Sequence, residues 1–249
     1  MFKKMKDAFG VGGASVDAVL SQAAIVPGGS LSGTVNITGG DREQDMRGLK
    51  LSFECVAERE TDDSEYKINK QFGHLELSNA GVVAAGQSLQ LPFDIAVPWD
   101  CPPNLVGGTH LGGIKLGLRT RLDIASARDA SDFDPVTVHA LPSHNAVLGA
   151  LQQLGFYLKE ADLEEGNARA GHLQGQLGVY AEYEFHGQGR INEVEVTFVT
   201  TPQETGVLVE IDKRGKWGFD GGDKITSFSV PTQSADVSGA AQYLSSLLS

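Results

Sequence analysis

Asp134 to Asn145, DPVTVHALPSHN, is the stretch on which the reading of this chain turns. It closes a long series of residues alternating between apolar and polar and opens a segment of helical period. The 249 residues therefore divide into two runs of strands with a joint between them. His139 and His144 flank that joint with Pro142 between them, a spacing unlike the i, i+4 pair by which one helix offers two metal ligands. They do not read as metal ligands.

Upstream of the joint the period is two. Leu31 to Thr38 alternates strictly between the turn signals Pro27-Gly28-Gly29 and Gly39-Gly40-Asp41. The same pattern puts Leu49, Leu51, Phe53 and Cys55 on one face, then Leu89, Leu91, Phe93, Ile95 and Val97. Pro92 cannot donate to a ladder, which assigns that third strand to a sheet edge or a bulge. Ile114, Leu116, Leu118, Thr120, Leu122 and Ile124 form the longest alternation, and a short strand, Val136 to Val138, leads into the joint. The acidic group Asp129, Asp132 and Asp134 reads as a solvated turn, as does Asp220 with Asp223. Glu58 to Glu65 reads as a charged crossover and Asp100 to Gly113 as a long Pro- and Gly-rich loop, both solvated connectors.

Downstream, Asn145 is placed to cap a helix over Ala146 to Leu154, with Gly155 placed to stop it. Strands are expected at Phe156 to Leu158, Val179 to Phe185, Val194 to Val199, Val207 to Ile211 and Ile225 to Val230. A second antiparallel sandwich of roughly 100 residues is the economical reading. The tail from Ala235 spaces Val237, Ala240, Ala241, Leu244, Leu247 and Leu248 on one helical face without an evident cap. It reads as cover for a sheet of its own domain, with docking on another protein as the alternative.

The expected organisation is thus a basic amphipathic segment over 1–12, a sandwich over 13–139, a linker helix and sandwich over 140–236, and an amphipathic tail over 237–249. Hydrophobic residues at 41% and charged residues at 21% give enough apolar material for a core. A net charge of −12 argues against nucleic acid, which is held mainly by clustered Lys and Arg. Cys55 and Cys101 stand apart, with neither zinc-site nor disulfide-framework spacing. No window reaches the roughly 18 apolar residues of a membrane span, and no signal-peptide run follows the first lysines, so the expected location is the cytoplasm. Met1 to Phe9 places Phe2, Met5 and Phe9 at helical spacing among Lys3, Lys4 and Lys6, suited to docking on the first sandwich or to weak, transient contact with an anionic membrane.

Chemistry-bearing motifs are absent from the sequence: it holds no GxSxG, HExxH, GxGxxG or GxxxxGK[ST]. No catalytic residue, cofactor or metal site is expected. One turn region stands out in an otherwise acidic chain, Asp212 to Phe219, where Lys213, Arg214, Lys216 and Trp217 form a candidate partner contact. The plain alternative is a hairpin whose aromatic rings fold back on the sheet.

Val26 to Gly33, VPGGSLSG, resembles the turn and strand of arrestin-like domains, and Leu91 to Pro98, LPFDIAVP, resembles their later strand ending in proline. Across almost the whole chain the order of signals resembles the bacterial sporulation-control family, the stage-zero M proteins. Those signals are the basic N-terminal segment before Ser15-Val16-Asp17, the helix through Leu154-Gly155-Phe156, Ile191 to Val196, and Glu210 to Gly215. The resemblance implies an all-β protein of two arrestin-like antiparallel β-sandwich domains joined by a short linker, with short helices at the linker and termini. It also implies a cytoplasmic regulatory adaptor or scaffold that contacts other cytoplasmic proteins and needs no catalysis, with sheet edges available for homo-oligomers. From the arrestin likeness, a charge network between the domains is expected among Asp17, Arg119, Arg121, Asp134, Asp212 and Arg214. The competing classes are a hydrolase or carbohydrate-active enzyme on a β-sandwich, and a peripheral membrane protein.

Overall fold

A computed structural model describes residues 12–61, 64–78, 80–125, 127–187, 189–213 and 224–248. The N-terminal half runs through β1 (Ser15–Leu20), β2 (Ala24–Ile25), β3 (Ser30–Thr38), β4 (Gln44–Thr61), β5 (Ser64–Ser78), β6 (Gly81–Val83) and β7 (Ser88–Ala96). It continues with β8 (Leu105–Val106), β9 (Thr109–His110), β10 (Leu116–Ile124), β11 (Ala130–Pro135) and β12 (Thr137–Val138). Two sheets face each other here, β1-β3-β7 and β11-β10-β4, with β5 and β6 on the far side of β4. Alternation dictates this: Leu31, Val35 and Ile37 from one sheet and Leu49, Leu51, Phe53, Leu118 and Leu122 from the other are all fully buried in one apolar cluster. Pro92 sits on β7, an edge strand paired with β3 alone, where its missing N–H costs no ladder bond.

Three expectations change in this half. Glu58 to Glu65 is not a crossover; it is the tip region of a long hairpin between β4 and β5. Its residues are polar at successive positions, so periodicity was silent there. The acidic run expected to be a solvated turn forms β11, and Asp132 and Asp134 are each 9% exposed. Asp132 is held because its Oδ2 accepts the backbone N–H of Ala18 at 2.9 Å, tying β11 to the edge of β1. The loop from Asp100 is not solvated at its start: Cys101 and Asn104 are buried, and Asn104 bonds Val136 and Val138 through its side chain. Asp220 and Asp223 lie outside the described residues.

The linker helix, α1 (Pro142–Gln153), begins four residues before the expected Ala146. Leu141, in extended backbone, takes the N-cap position without a side-chain bond, and Pro142 starts the helix where a missing N–H is harmless. Asn145 is therefore inside the helix; its side chain accepts from Gly107 N–H at 2.9 Å and donates to the Ala140 and Leu141 carbonyls. The stop is as expected: Gly155 has φ +91°, and its N–H and that of Phe156 return to Gln152 and Leu151 in a Schellman pattern.

The C-terminal half comprises β13 (Tyr157–Glu165), the ribbon β14 (Arg169–Ala170) and β15 (Leu173–Gln174), β16 (Val179–His186), β17 (Ile191–Thr200), β18 (Glu204–Lys213), β19 (Lys224–Pro231) and α2 (Val237–Leu248). Among the described residues it is one antiparallel sheet, β13-β16-β17-β18-β19. Helices back its apolar face: His144 of α1 packs tilted against Phe198, and Tyr243 of α2 packs tilted against Phe228 with ring centroids 4.6 Å apart. The tail thus covers its own half, with Leu244 fully buried, and it does have a cap, since Asp236 Oδ1 accepts Gly239 N–H at 2.9 Å.

The two halves share a strand. β4 outruns β10, which begins opposite Cys55, and β13 takes the vacated side, parallel to β4 with Glu164 opposite Glu58. A single path of strands therefore crosses the joint from β11 to β19.

Candidate functional site at the joint

Among the described residues, polar contacts between the halves gather where β4, the Asp100 loop, α1 and β13 converge. On the inner side the contacts are buried and polar. The Asp100 Oδ1 accepts Thr200 N–H at 2.7 Å, and burial raises this carboxyl above its ordinary range although backbone donors at Thr200 and Gln176 oppose the shift. Tyr183, fully buried, donates its hydroxyl to the Pro103 carbonyl at 3.1 Å. His144 sits 2.9 Å from the Thr200 hydroxyl through Nε2 and 4.5 Å from the Phe198 ring, and burial pulls its pKa down to about 3. Ser143, the residue before His144, pairs with Thr205 at 2.9 Å. These bonds fix the joint from both sides of the chain.

On the outer side the β4–β5 hairpin grips β13. Arg59 and Lys70 both reach Glu165, Lys70 at 2.9 Å and Arg59 through two nitrogens. Those hydrogen bonds hold the Glu165 carboxyl down at about 2. Lys67 pairs with Glu58 at 2.7 Å beside them. Next to this latch opens a trough of about 390 Å³ lined by Glu58, Lys67, His110 to Gly113, and Leu158 to Asp162. Gly113 forms its floor so closely that a Cβ there would lie 2.0 Å from the Ala161 carbonyl oxygen. Glycine is required by that approach of one backbone to another.

From the trough a ladder of carboxylates crosses the outer face of the C-terminal sheet. The register sets Asp162 opposite Glu182, and Glu160, Glu184, Glu195 and Glu210 in one cross-strand row. Like charges directly opposite repel, and partial burial keeps water from screening them. Glu182 is pushed up to about 8 by burial and by Glu195, Glu164, Glu210 and Asp162. Glu195 rises to about 7 and Asp162 to about 6, again by burial first and neighbouring carboxylates second. Lys159 relieves one end, reaching Glu184 at 2.6 Å, Glu160 at 3.0 Å and Glu193 at 3.1 Å. Asp162, Glu164 and Glu182 offer oxygens within 4.8 Å of one another, a spacing that protons or a hard cation could occupy.

The residues singled out from the sequence fall elsewhere. Arg214, Lys216 and Trp217 lie outside the described residues, as does the Lys213 side chain, whose backbone ends β18. Of the expected charge network, Asp17 is on β1, Arg119 and Arg121 on β10 and Asp134 on β11, all in the N-terminal half. Arg119 pairs with Glu54 at 2.6 Å and covers the Phe133 ring, and Arg121 pairs with Asp129 at 2.7 Å. Asp212 bonds Asn192 on β17 at 2.5 Å. It is five strands from β10, ~24 Å at the usual strand spacing, so the network does not extend to it. Arg214 is outside the described residues. The charges that do bridge the halves, Arg59, Lys70 and Glu165, were missed because their partners lie 95 and 106 positions away in sequence. The alternation in Leu158 to Glu165, LKEADLEE, was the available signal for β13.

The two free cysteines are buried, and burial pushes the Cys55 thiol up to about 12. Among the described residues no helix is long and apolar enough to cross a membrane.

Comparison with known proteins agrees with this architecture. A crystal structure of Spo0M, sporulation control protein, from Bacillus subtilis superposes with a TM-score of 0.79 at 26% identity, covering 96% of this chain and 98% of that one. The sporulation-control protein spo0M of Bacillus subtilis strain 168 is 30% identical over 220 residues, which is 86% of this chain and 81% of that protein. The family model described as SpoOM protein matches residues 2–215. Sequence, family model and fold concur, and the chain belongs to the Spo0M family.

Proposed function

We propose that this chain is a non-catalytic cytoplasmic regulator, an adaptor or scaffold of two arrestin-like halves that acts through protein–protein contacts. The observation that carries the reading is the outer edge of β19. That strand pairs with β18 alone among the described residues, has Lys224 as its one charge, and leaves Ile225 63% exposed. Edges without inward charges or bulges accept a partner strand, and strand addition supplies affinity from backbone bonds. Self-association would use the same edge. The relative's name, sporulation-control protein, supports a role in sporulation control.

The test is affinity capture from the native cytosol with wild type, an Ile225→Lys edge variant, and a variant with Lys213, Arg214, Lys216 and Trp217 all changed to Ala. Selective loss of captured proteins from the edge variant supports strand addition. Selective loss from the quadruple variant moves the contact to the β18–β19 turn. An identical set of captured proteins for all three sinks both surfaces.

A further inference from the structure

The inner side of the joint contains a small cavity lined by Asp100, Cys101, Pro103, His144, Ala181, Tyr183, Phe198 and Thr200, with about 10 Å³ of room for the centre of a water molecule. That is the size of one water and too small for an organic ligand. His144, 2% exposed, lines it, and its Nδ1 has no hydrogen-bond partner among the surrounding protein atoms. We propose that the cavity is a binding site for a single ordered water that accepts from His144 Nδ1–H and donates to the Asp100 carboxylate and the Tyr183 hydroxyl oxygen. Loop, helix and sheet, contributed by both halves, are then pinned at one point.

Donor bookkeeping supports this arrangement. The Tyr183 hydrogen is committed to the Pro103 carbonyl, which leaves the phenolic oxygen free to accept. The Asp100 carboxylate takes backbone donors from Thr200 and Gln176 and retains further lone pairs. If the Thr200 hydroxyl donates to His144 Nε2 across their 2.9 Å contact, the ring proton must sit on Nδ1, and the water is its acceptor. Burial keeps the imidazole neutral at ordinary pH, which this arrangement requires. A metal ion fits less well, since the lining offers one imidazole, one carboxylate already engaged by amides and the Cys101 thiol, which burial holds in its protonated form.

The test is long-range proton–nitrogen NMR on the histidine-labelled full chain, with oxygen-17 relaxation dispersion to count long-lived waters. Expected are a protonated Nδ1 and bare Nε2 at His144, a water cross-peak to its ring, and loss of one long-lived water per chain in His144→Leu. Ala181→Val fills the cavity while keeping the imidazole and should lose the same water, so the count does not depend on one variant folding. A protonated Nε2 without a water cross-peak, or an unchanged water count in whichever variant folds, overturns the proposal.

Discussion

Replacing Glu182 with Gln should stabilise the protein at pH 8.5 and change it little at pH 5. In the folded chain its carboxyl is pushed from 4.5 up to about 8 by burial and four neighbouring carboxylates. A raised folded pKa means that the folded state binds the proton more tightly than the unfolded one. The resulting stability is present below pH 4.5 and is lost as pH rises through 8. The full shift would correspond to ~5 kcal/mol at ~1.36 kcal/mol per unit. The side chain is only half-buried and its neighbours share the titration, so solvent screening reduces the expected effect to ~1–2 kcal/mol. Glutamine keeps the shape and removes the charge, and should recover that amount at pH 8.5. Urea unfolding followed by circular dichroism would show a midpoint higher by ~0.5–1 M if the slope is ~2 kcal/mol/M. The gain should shrink in high salt as screening grows. A midpoint shift equal at pH 5 and pH 8.5, or a loss at pH 8.5, would refute the account of the ladder as mutual repulsion.

His144 gives the opposite sign: its folded pKa is lowered from 6.5 to about 3, so its stability is present above pH 6.5 and lost as pH falls toward 3. Its contribution to the slope is ~1.4 kcal/mol per pH unit, and His144→Gln should flatten thermal unfolding between pH 6.5 and 4 relative to wild type. Gly113→Ala places a methyl group against the Ala161 carbonyl and should cost ~1–3 kcal/mol by chemical denaturation, with altered near-ultraviolet dichroism from the joint. Leu244→Ala, at a fully buried position of α2, should cost ~2–4 kcal/mol and expose the tail to proteolysis; an intact tail under limited digestion would count against its docking.

Legibility in the sequence followed burial geometry. Strands with one wet and one dry face, such as Leu31 to Thr38 and Leu116 to Ile124, announced themselves, and so did the glycine that ends α1. What failed were segments whose environment is polar or covered on both sides. The hairpin tip carrying Arg59 looks like a loop because it packs through its edge and its ion pairs. Asp132 looks like a solvated turn because the amide that satisfies it comes from a residue 114 positions away. Lys50, Ser52 and Glu54 form the expected polar face of β4, but Ser52 and Glu54 are buried there, Glu54 beneath Arg119 and Gln71. The change of period falls where β12 gives way to α1, while the bonds that close this region depend on partners no local pattern could supply.

Because β4 belongs to the sheets of both halves, the molecule has no clean cut line. A fragment ending at Ala140 would keep the hairpin and the Arg59–Tyr66 contact but lose Glu165, the carboxylate that Arg59 and Lys70 share, and the Asp100 loop would lose the Thr200 amide. The complementary fragment would begin with α1 and carry β13 as a bare edge. Twist applied to one half is transmitted along a continuous backbone, much as a shaft couples two wheels. Full-length unfolding should accordingly follow a single transition by fluorescence and by dichroism, where independently stable halves would produce two.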